Sequence, residues 1–576
     1  MGAVRAWLAD LVDAQRQLAQ QLLATELAQP PEASHPCLYS RCLVAAAQGC
    51  QAVCAADGAG PPAGALDMCV AVLEVVGQGL SVDSPMIKLA ACRAVNRLIP
   101  CLKELGDHAV DMLAGFALPL LASLCSLLPQ AQDDMLHLLF DSMIIAVGVN
   151  ADATATMAPT LTPLLLQVWG NNLEDPFVPC NVLETLTIMA QKTGPDCAVQ
   201  IGSRILPQLC AMLAVHDRDV PQGANDPRDS AVDMLTILVR HGGCDLRADD
   251  LTQQAFVLVT RLGGADGADH CSADHSVLQN AAECVRLFVQ RMPEQLTAFA
   301  NAEGVTGLHR CVAVVSWLLS THLDDSAALQ VGTLVTALIR HCGHILDDVV
   351  TSMLRALVTR LRTAHFPSLI QELLVVLAHI VNQQGAAQTV EFLWTCEPEG
   401  AALGFVMSLF IENLPFMIRP YHIKVCCAAL GAVCATRDAR VLSINLDTTK
   451  ALDDTSSDGV ASRTRSKKVV QTFSAPLPFV TMREIVRTLG QQELAQQERA
   501  AAGTRHFDGY DDGEEDEDDY DEECYDDGLE QDEHAEEDDD CADRASGTFA
   551  AAADFEKFEQ FLQYGGKREC DCHNTV

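Results

Sequence analysis

The sequence predicts an all-α protein, a solenoid of stacked helical hairpins with an acidic disordered insertion near its end. Three observations carry that expectation. Apolar residues recur at helical spacing along almost the whole chain, while only 5% of residues are aromatic and alternating strand patterns are scarce. Similar helical segments return every 40 to 51 residues or so. Between Asp508 and Asp543 stand 23 acidic residues with no Lys or Arg, a composition that cannot bury enough apolar surface to fold alone.

A chain of 576 residues, 49% of them hydrophobic, buries a large core, and at this length it divides into domains or forms a repeat array. The repeat reading rests on segments that look alike. They are "DSPMIKLAACRAVNRLI" from Asp83, "QDDMLHLLFDSMIIAVG" from Gln132, "EDPFVPCNVLETLTIMAQ" from Glu174, "NDPRDSAVDMLTILVRH" from Asn225, "HSVLQNAAECVRLFVQ" from His275, "DSAALQVGTLVTALIRH" from Asp325 and "FPSLIQELLVVLAHIV" from Phe366. Their apolar centres fall near positions 89, 138, 180, 229, 279, 330 and 370, the period of two-helix HEAT-type repeats. Several begin with an Asp close to a Pro, where the carboxylate caps free N–H groups and Pro loses no hydrogen bond. Partner helices lie between them, as in "APTLTPLLLQVW" from Ala158 and "IGSRILPQLCAML" from Ile201.

On this reading residues 1–436 form the HEAT-repeat solenoid, 437–475 a polar loop with a basic patch, and 476–503 a helical repeat segment. An acidic disordered loop follows over 504–547, and a short helix and tail over 548–576. The 24 cysteines lie mostly within apolar helical patterns, as expected of reduced core residues in an intracellular protein. Asp10 and Asp13 interrupt the N-terminal stretch where a signal peptide needs apolar residues. Met112 to Gln132 carries no charge over 21 residues and approaches a membrane span in length, but Pro119, Pro129 and its Ser and Gln residues favour a central buried helix.

Chemistry is sparse. No P-loop, dinucleotide-binding glycine pattern, GxSxG, HExxH or paired CxxC motif occurs, so no enzyme activity is expected. Asp266, Asp269, His270, Cys271, Asp274 and His275 match no EF-hand or zinc spacing and read as an inter-repeat loop. Cys570, Cys572 and His573 lack a second ligand pair. No metal, cofactor, direct nucleic-acid contact or membrane insertion is expected.

Two segments remain as candidate binding elements. With the 36-residue acidic tract removed, the net charge of −40 falls to −17 over the other 540 residues, so the acidity is concentrated and calls for a basic protein partner. Its densest part holds Tyr510, Asp511, Asp512, Glu514, Glu515, Asp516, Glu517, Asp518, Asp519, Tyr520, Asp521, Glu522, Glu523, Tyr525, Asp526 and Asp527. Three of the chain's six tyrosines sit there, where rings can anchor against Arg and Lys or in a shallow apolar pocket while carboxylates occupy sites otherwise held by phosphates. The alternative is a spacer that keeps an apolar solenoid soluble. The second segment is "RTRSKK", with Arg463, Thr464, Arg465, Ser466, Lys467 and Lys468, which reads as a localisation signal, a partner for the acidic tract or an ordinary solvated loop.

The order "FPSLIQELLVVLAHIVNQQGAAQTVEFLW" (366–394), "SRTRSKK" (462–468) and then the acidic insertion resembles the C-terminal half of karyopherins of the importin-β family. The resemblance implies a HEAT-repeat nuclear transport receptor, present in cytoplasm and nucleus, whose solenoid wraps basic cargo. Core histones and ribosomal proteins are the cargo it implies, with the small GTPase Ran and nucleoporins as further partners. Asp511 to Asp527 would then belong to the family's acidic loop. A HEAT-type scaffold or regulatory subunit with a solubilising tract is the alternative.

Overall fold

The computed structural model describes residues 2–54, 64–105, 107–131, 133–175, 177–216, 226–267, 271–272, 274–301, 304–451 and 470–503. They are overwhelmingly helical and divide into two units, Met1–Trp317 and Leu318–Val576. In the first unit the main helices are α1 Gly2–Ala24, α2 Pro36–Cys54, α3 Ala65–Ser81, α4 Pro85–Glu104, α5 Asp107–Leu127, α6 Asp133–Val149 and α7 Ala151–Asn171. They continue as α8 Val178–Thr193, α9 Pro195–Leu213, α10 Pro227–Arg240, α11 Asp250–Leu262, α12 His275–Arg291, the short α13 Pro293–Ala298 and α14 Gly307–Leu318.

Packing follows an every-second-helix rule. Helices α4, α6, α8, α10 and α12 stack on one another in one layer, and α5, α7, α9 and α11 stack in a second. Each helix also packs against a sequence neighbour from the other layer. The unit is thus an all-α solenoid of HEAT-type hairpins, its core continuous from repeat to repeat. The segments aligned in the sequence near 89, 138, 180, 229 and 279 are all first-layer helices, and those beginning at Ala158 and Ile201 belong to the second.

Local chemistry explains the boundaries. Asp175 accepts from the backbone N–H of Phe177 and Val178 at the start of α8, Asp226 from Arg228 at α10, Asp249 from Leu251 and Thr252 at α11, and Asp274 from Ser276 at α12. Each satisfies donors that a helix start leaves without an intrahelical partner. A second signature lies inside the other layer, where Pro119, Pro163 and Pro207 occupy α5, α7 and α9. Pro163 has no N–H to give to the Pro159 carbonyl one turn earlier, and Arg204 Nη1 of α9 donates to that oxygen at 3.3 Å.

The second unit contains α15 Val331–Cys342, α16 Asp347–Leu361, α17 Pro367–Gln384, α18 Ala386–Cys396, α19 Ala401–Asn413, α20 Pro420–Ala435, α21 Ala439–Leu442 and α22 Leu477–Gly503. Helices α15, α17, α20 and α22 stack in succession. Asp325, which the sequence reads as another helix-start residue, has a longer reach. Its carboxylate accepts from Arg360 Nη2 at 2.7 Å and from the backbone N–H of His365 and Phe366, so it caps the chain entering α17 and neutralises a guanidinium that is only 1% exposed.

Within the stretch expected as a polar loop, α21 is followed by two strands, β1 Asn445–Ala451 and β2 Val470–Pro476. They pair antiparallel from Asn445 with Pro476 to Ala451 with Val470. Thr448 and Thr449 of β1 and Val470, Thr472 and Phe473 of β2 are residues that favour strands, although the surrounding Ser, Thr and Asp read as loop. The Met112–Gln132 stretch falls in α5 and the turn after it, and among the described residues no helix is long and apolar enough to cross a membrane. The 20 cysteines of the described residues carry no disulfide and are mostly buried.

Candidate functional surface

The stacked first-layer helices bring together residues about one repeat apart, and their joints carry polar side chains beside the apolar core. Between α4 and α6, Asn96 Nδ2 donates to Ser142 Oγ at 2.9 Å. Between α10 and α12 the joint is charged. Asp229 and Asp233 lie one turn apart on α10 and therefore share a face. Asn280 of α12 uses its amide nitrogen to donate to both, at 2.9 Å each. One turn further along α12, Glu283 receives Arg286 Nη2 at 2.5 Å and lies 3.7 Å from Arg240 Nη2 of α10.

Burial dominates the electrostatics. Asp233 is pushed up to about 7 by desolvation, with the neighbouring Asp229 carboxylate adding to the rise. Asp229 is raised by burial and by Asp274, against hydrogen bonds from Ser276 and Asn280 that favour its charged form. One amide cannot neutralise two carboxylates in a partly dry joint, so Asp233 retains its proton into the neutral range.

In the second unit the joint between α17 and α20 centres on Glu372. Arg419 Nη1 lies 3.2 Å from its carboxylate and His422 Nδ1 3.9 Å. Nearby, the Tyr421 hydroxyl and His379 Nε2 are 3.2 Å apart. Burial, with Arg340 adding, brings His379 down to about 4, and burial raises Tyr421, so both are neutral at physiological pH.

The binding residues expected from the sequence lie elsewhere. Tyr510, Tyr520, Tyr525 and the acidic residues from Asp511 to Asp527 fall outside the described residues, as do Arg463, Thr464, Arg465, Ser466, Lys467 and Lys468. Cys570, Cys572 and His573 also lie outside them. Of the Asp- and His-rich loop, Asp269 and His270 are outside. Asp266 pairs at 3.0 Å with both Arg261 and Arg310, and Asp274 caps α12, so the described part of the loop joins repeats. Sequence reasoning missed the Asp229–Asp233–Asn280 joint. Two Asp residues four apart are visible in "RDSAVDM", but their partner arrives from the next repeat, 47 residues beyond Asp233.

No family model matches the chain. It is 25% identical over 429 residues to importin-9 of Drosophila melanogaster, covering 73% of this chain and 40% of that protein. It is 22% identical over 452 residues to importin subunit beta-5 of Schizosaccharomyces pombe, covering 77% of this chain and 41% of that one. The chain thus spans about two-fifths of the length of the curated relatives it matches. Among solved structures, the exportin Cse1 in its cargo-free, cytoplasmic state aligns with a TM-score of 0.48 and 10% identity, over 69% of this chain and 39% of Cse1.

Proposed function

We propose, from the premise that the chain is a homologue of importin-9 and so a relative of the importin-β karyopherins, that it acts as a nuclear transport receptor and not as an enzyme. The observation that carries this reading is the similarity to importin-9 over 429 residues. Its cargo is basic protein, core histones and ribosomal proteins, whose positive charge it shields between cytoplasm and nucleus. Ran in its GTP form governs release, and nucleoporins are its contacts during passage.

Charge supports the cargo class. The tract from Asp508 to Asp543 places 23 carboxylates in 36 residues, and a polyanion of that density competes with nucleic-acid phosphates for Lys and Arg. Tyr510, Tyr520 and Tyr525 add ring contacts, so that binding persists at salt concentrations that screen bare charge. The basic segment from Arg463 to Lys467 stands between solenoid and tract in the sequence and is proposed as a contact of the tract when cargo is absent.

The test is competition. Core histone dimers bound to DNA at near-physiological salt are titrated with the full chain, and release of free DNA is measured. The reading expects stoichiometric transfer of histone from DNA to the chain, reversed or weakened by Ran-GTP. DNA that stays fully bound in excess chain overturns it.

A further inference from the structure

Helix α22 carries apolar residues on two opposite faces. Leu477, Val480 and Ile485, with Thr481, Glu484 and Thr488, form one buried stripe at helical spacing, and the helix packs against α20 and α19. Phe479, Met482 and Val486 recur at i, i+3 and i+7 on the far side of the helix, and all three are exposed, Phe479 by 59% and Val486 by 66%. Leu494, two turns beyond Val486, is exposed as well. The turn Leu414–Phe416 lies against α22, and there Phe416 and Ile418 are 72% and 80% exposed.

In the stack α15, α17, α20, α22, the helices α17 and α20 each have a stack neighbour on both sides. Among the described residues no further helix of the stack follows α22. Single exposed apolar residues are ordinary, whereas a stripe running along one helix face marks a docking surface. Charge narrows what fits it. Arg483 and Arg487 run along one flank of the stripe, both within reach of the buried Glu484 carboxylate, and the Arg487 side chain is more than half exposed. An apolar stripe with a cationic flank suits an amphipathic helix whose own flank is acidic.

The sequence beyond α22 contains such a segment, outside the described residues. In "DFEKFEQFL" from Asp554, Phe555, Phe558 and Leu562 recur at i, i+3 and i+7, the spacing of Phe479, Met482 and Val486, with Phe561 beside them. Asp554, Glu556 and Glu559 against the single Lys557 leave the segment acidic. From Phe479 to Gly503 the helix measures roughly 36 Å at its usual rise, and the 50 residues 504–553 can extend to roughly 150 Å or more. The tether therefore reaches, and it raises the effective concentration of the segment at α22, an advantage that no separate partner has.

We propose that residues 554–562 dock as an amphipathic helix on the exposed face of α22, with Phe555, Phe558 and Leu562 against Phe479, Met482 and Val486. The acidic tract over 508–543 is then held at both ends by the second unit, which keeps its carboxylates beside the helical surface. This holds whatever the chain carries.

The test is hydrogen exchange in the full chain, comparing wild type with Phe558→Asp, Val486→Asp and the double variant. Val486 faces away from α20, and circular dichroism with unchanged exchange in α17 verifies that the fold is kept. Each single substitution is expected to speed exchange of residues 480–488 at least tenfold. The double variant should exchange no faster than either single one, because both remove the same contact. A benzophenone side chain placed at position 486 should photo-cross-link to the peptide holding residues 554–562 of the same chain. Exchange in α22 that ignores Phe558→Asp, or effects that simply add in the double variant, overturns the proposal. So do cross-links from position 486 that join two copies of the chain, which would assign the face to self-association.

Discussion

Asn in place of Asp233 gives the sharpest test of the charged joint between α10 and α12. The substitution keeps an oxygen to accept from Asn280 and removes the ionisation. In the fold the Asp233 carboxyl titrates near about 7, whereas in the unfolded chain it titrates near 4. Between those values the folded state binds more protons than the unfolded state, so raising the pH through this window removes stability. One pKa unit corresponds to about 1.36 kcal/mol, and integrating over the two titrations gives a loss of ~2–3 kcal/mol between pH 5 and 8 for this one group. Asp233→Asn should abolish that loss and be the more stable protein at pH 8. The assay is urea unfolding of wild type and variant at pH 5, 6, 7 and 8, followed by hydrogen exchange within α10 and α12. Taking the difference between variant and wild type cancels His241 and His379. Both are brought down to about 4 mainly by burial, and they act in the opposite sense, losing stability as pH falls from 6.5. A stability difference that does not change with pH would refute the reasoning.

Other consequences follow from the same geometry. Asp325→Ala leaves the buried Arg360 guanidinium without its carboxylate and the N–H groups of His365 and Phe366 without their acceptor. It should cost the second unit about 3–5 kcal/mol, read as faster exchange in α16 and α17. Gly202→Ala places a Cβ 2.6 Å from the carbonyl oxygen of Gly243, a backbone atom with little room to withdraw. It should destabilise the α9–α10 hairpin by roughly 1–3 kcal/mol in urea unfolding. Replacing Tyr510, Tyr520 and Tyr525 together by Ser leaves the net charge unchanged. If the rings anchor basic protein, affinity for core histone dimers drops and its salt dependence steepens, whereas an unchanged titration curve would reduce the tract to a plain polyanion.

What the sequence made legible was whatever is written locally. The helix starts at Asp175 and Asp226 could be read because a cap and its donors lie within three residues. The repeat period could be read because each first-layer helix must bury the same stripe against the next. Pro119, Pro163 and Pro207, spaced 44 residues apart, carried the same period in the second layer and went unused. The joints were not legible, because they form between residues far apart in sequence. Asn280 bridges two aspartates 51 and 47 residues earlier, and Arg360 meets Asp325 across 35 residues. A single helix shows such side chains as ordinary polar positions, and only stacking turns them into buried pairs.

The central claim is that this chain receives basic proteins and that its acidic tract takes part in holding them. The most direct measurement is the equilibrium affinity of the purified chain for core histone dimers at near-physiological salt, with and without residues 508–543. Tight binding by the full chain that withstands moderate salt and weakens clearly when the tract is removed is the expected result. Equal indifference to histone dimers in both forms would contradict it, and would leave a helical-repeat scaffold with a solubilising tract as the description that fits.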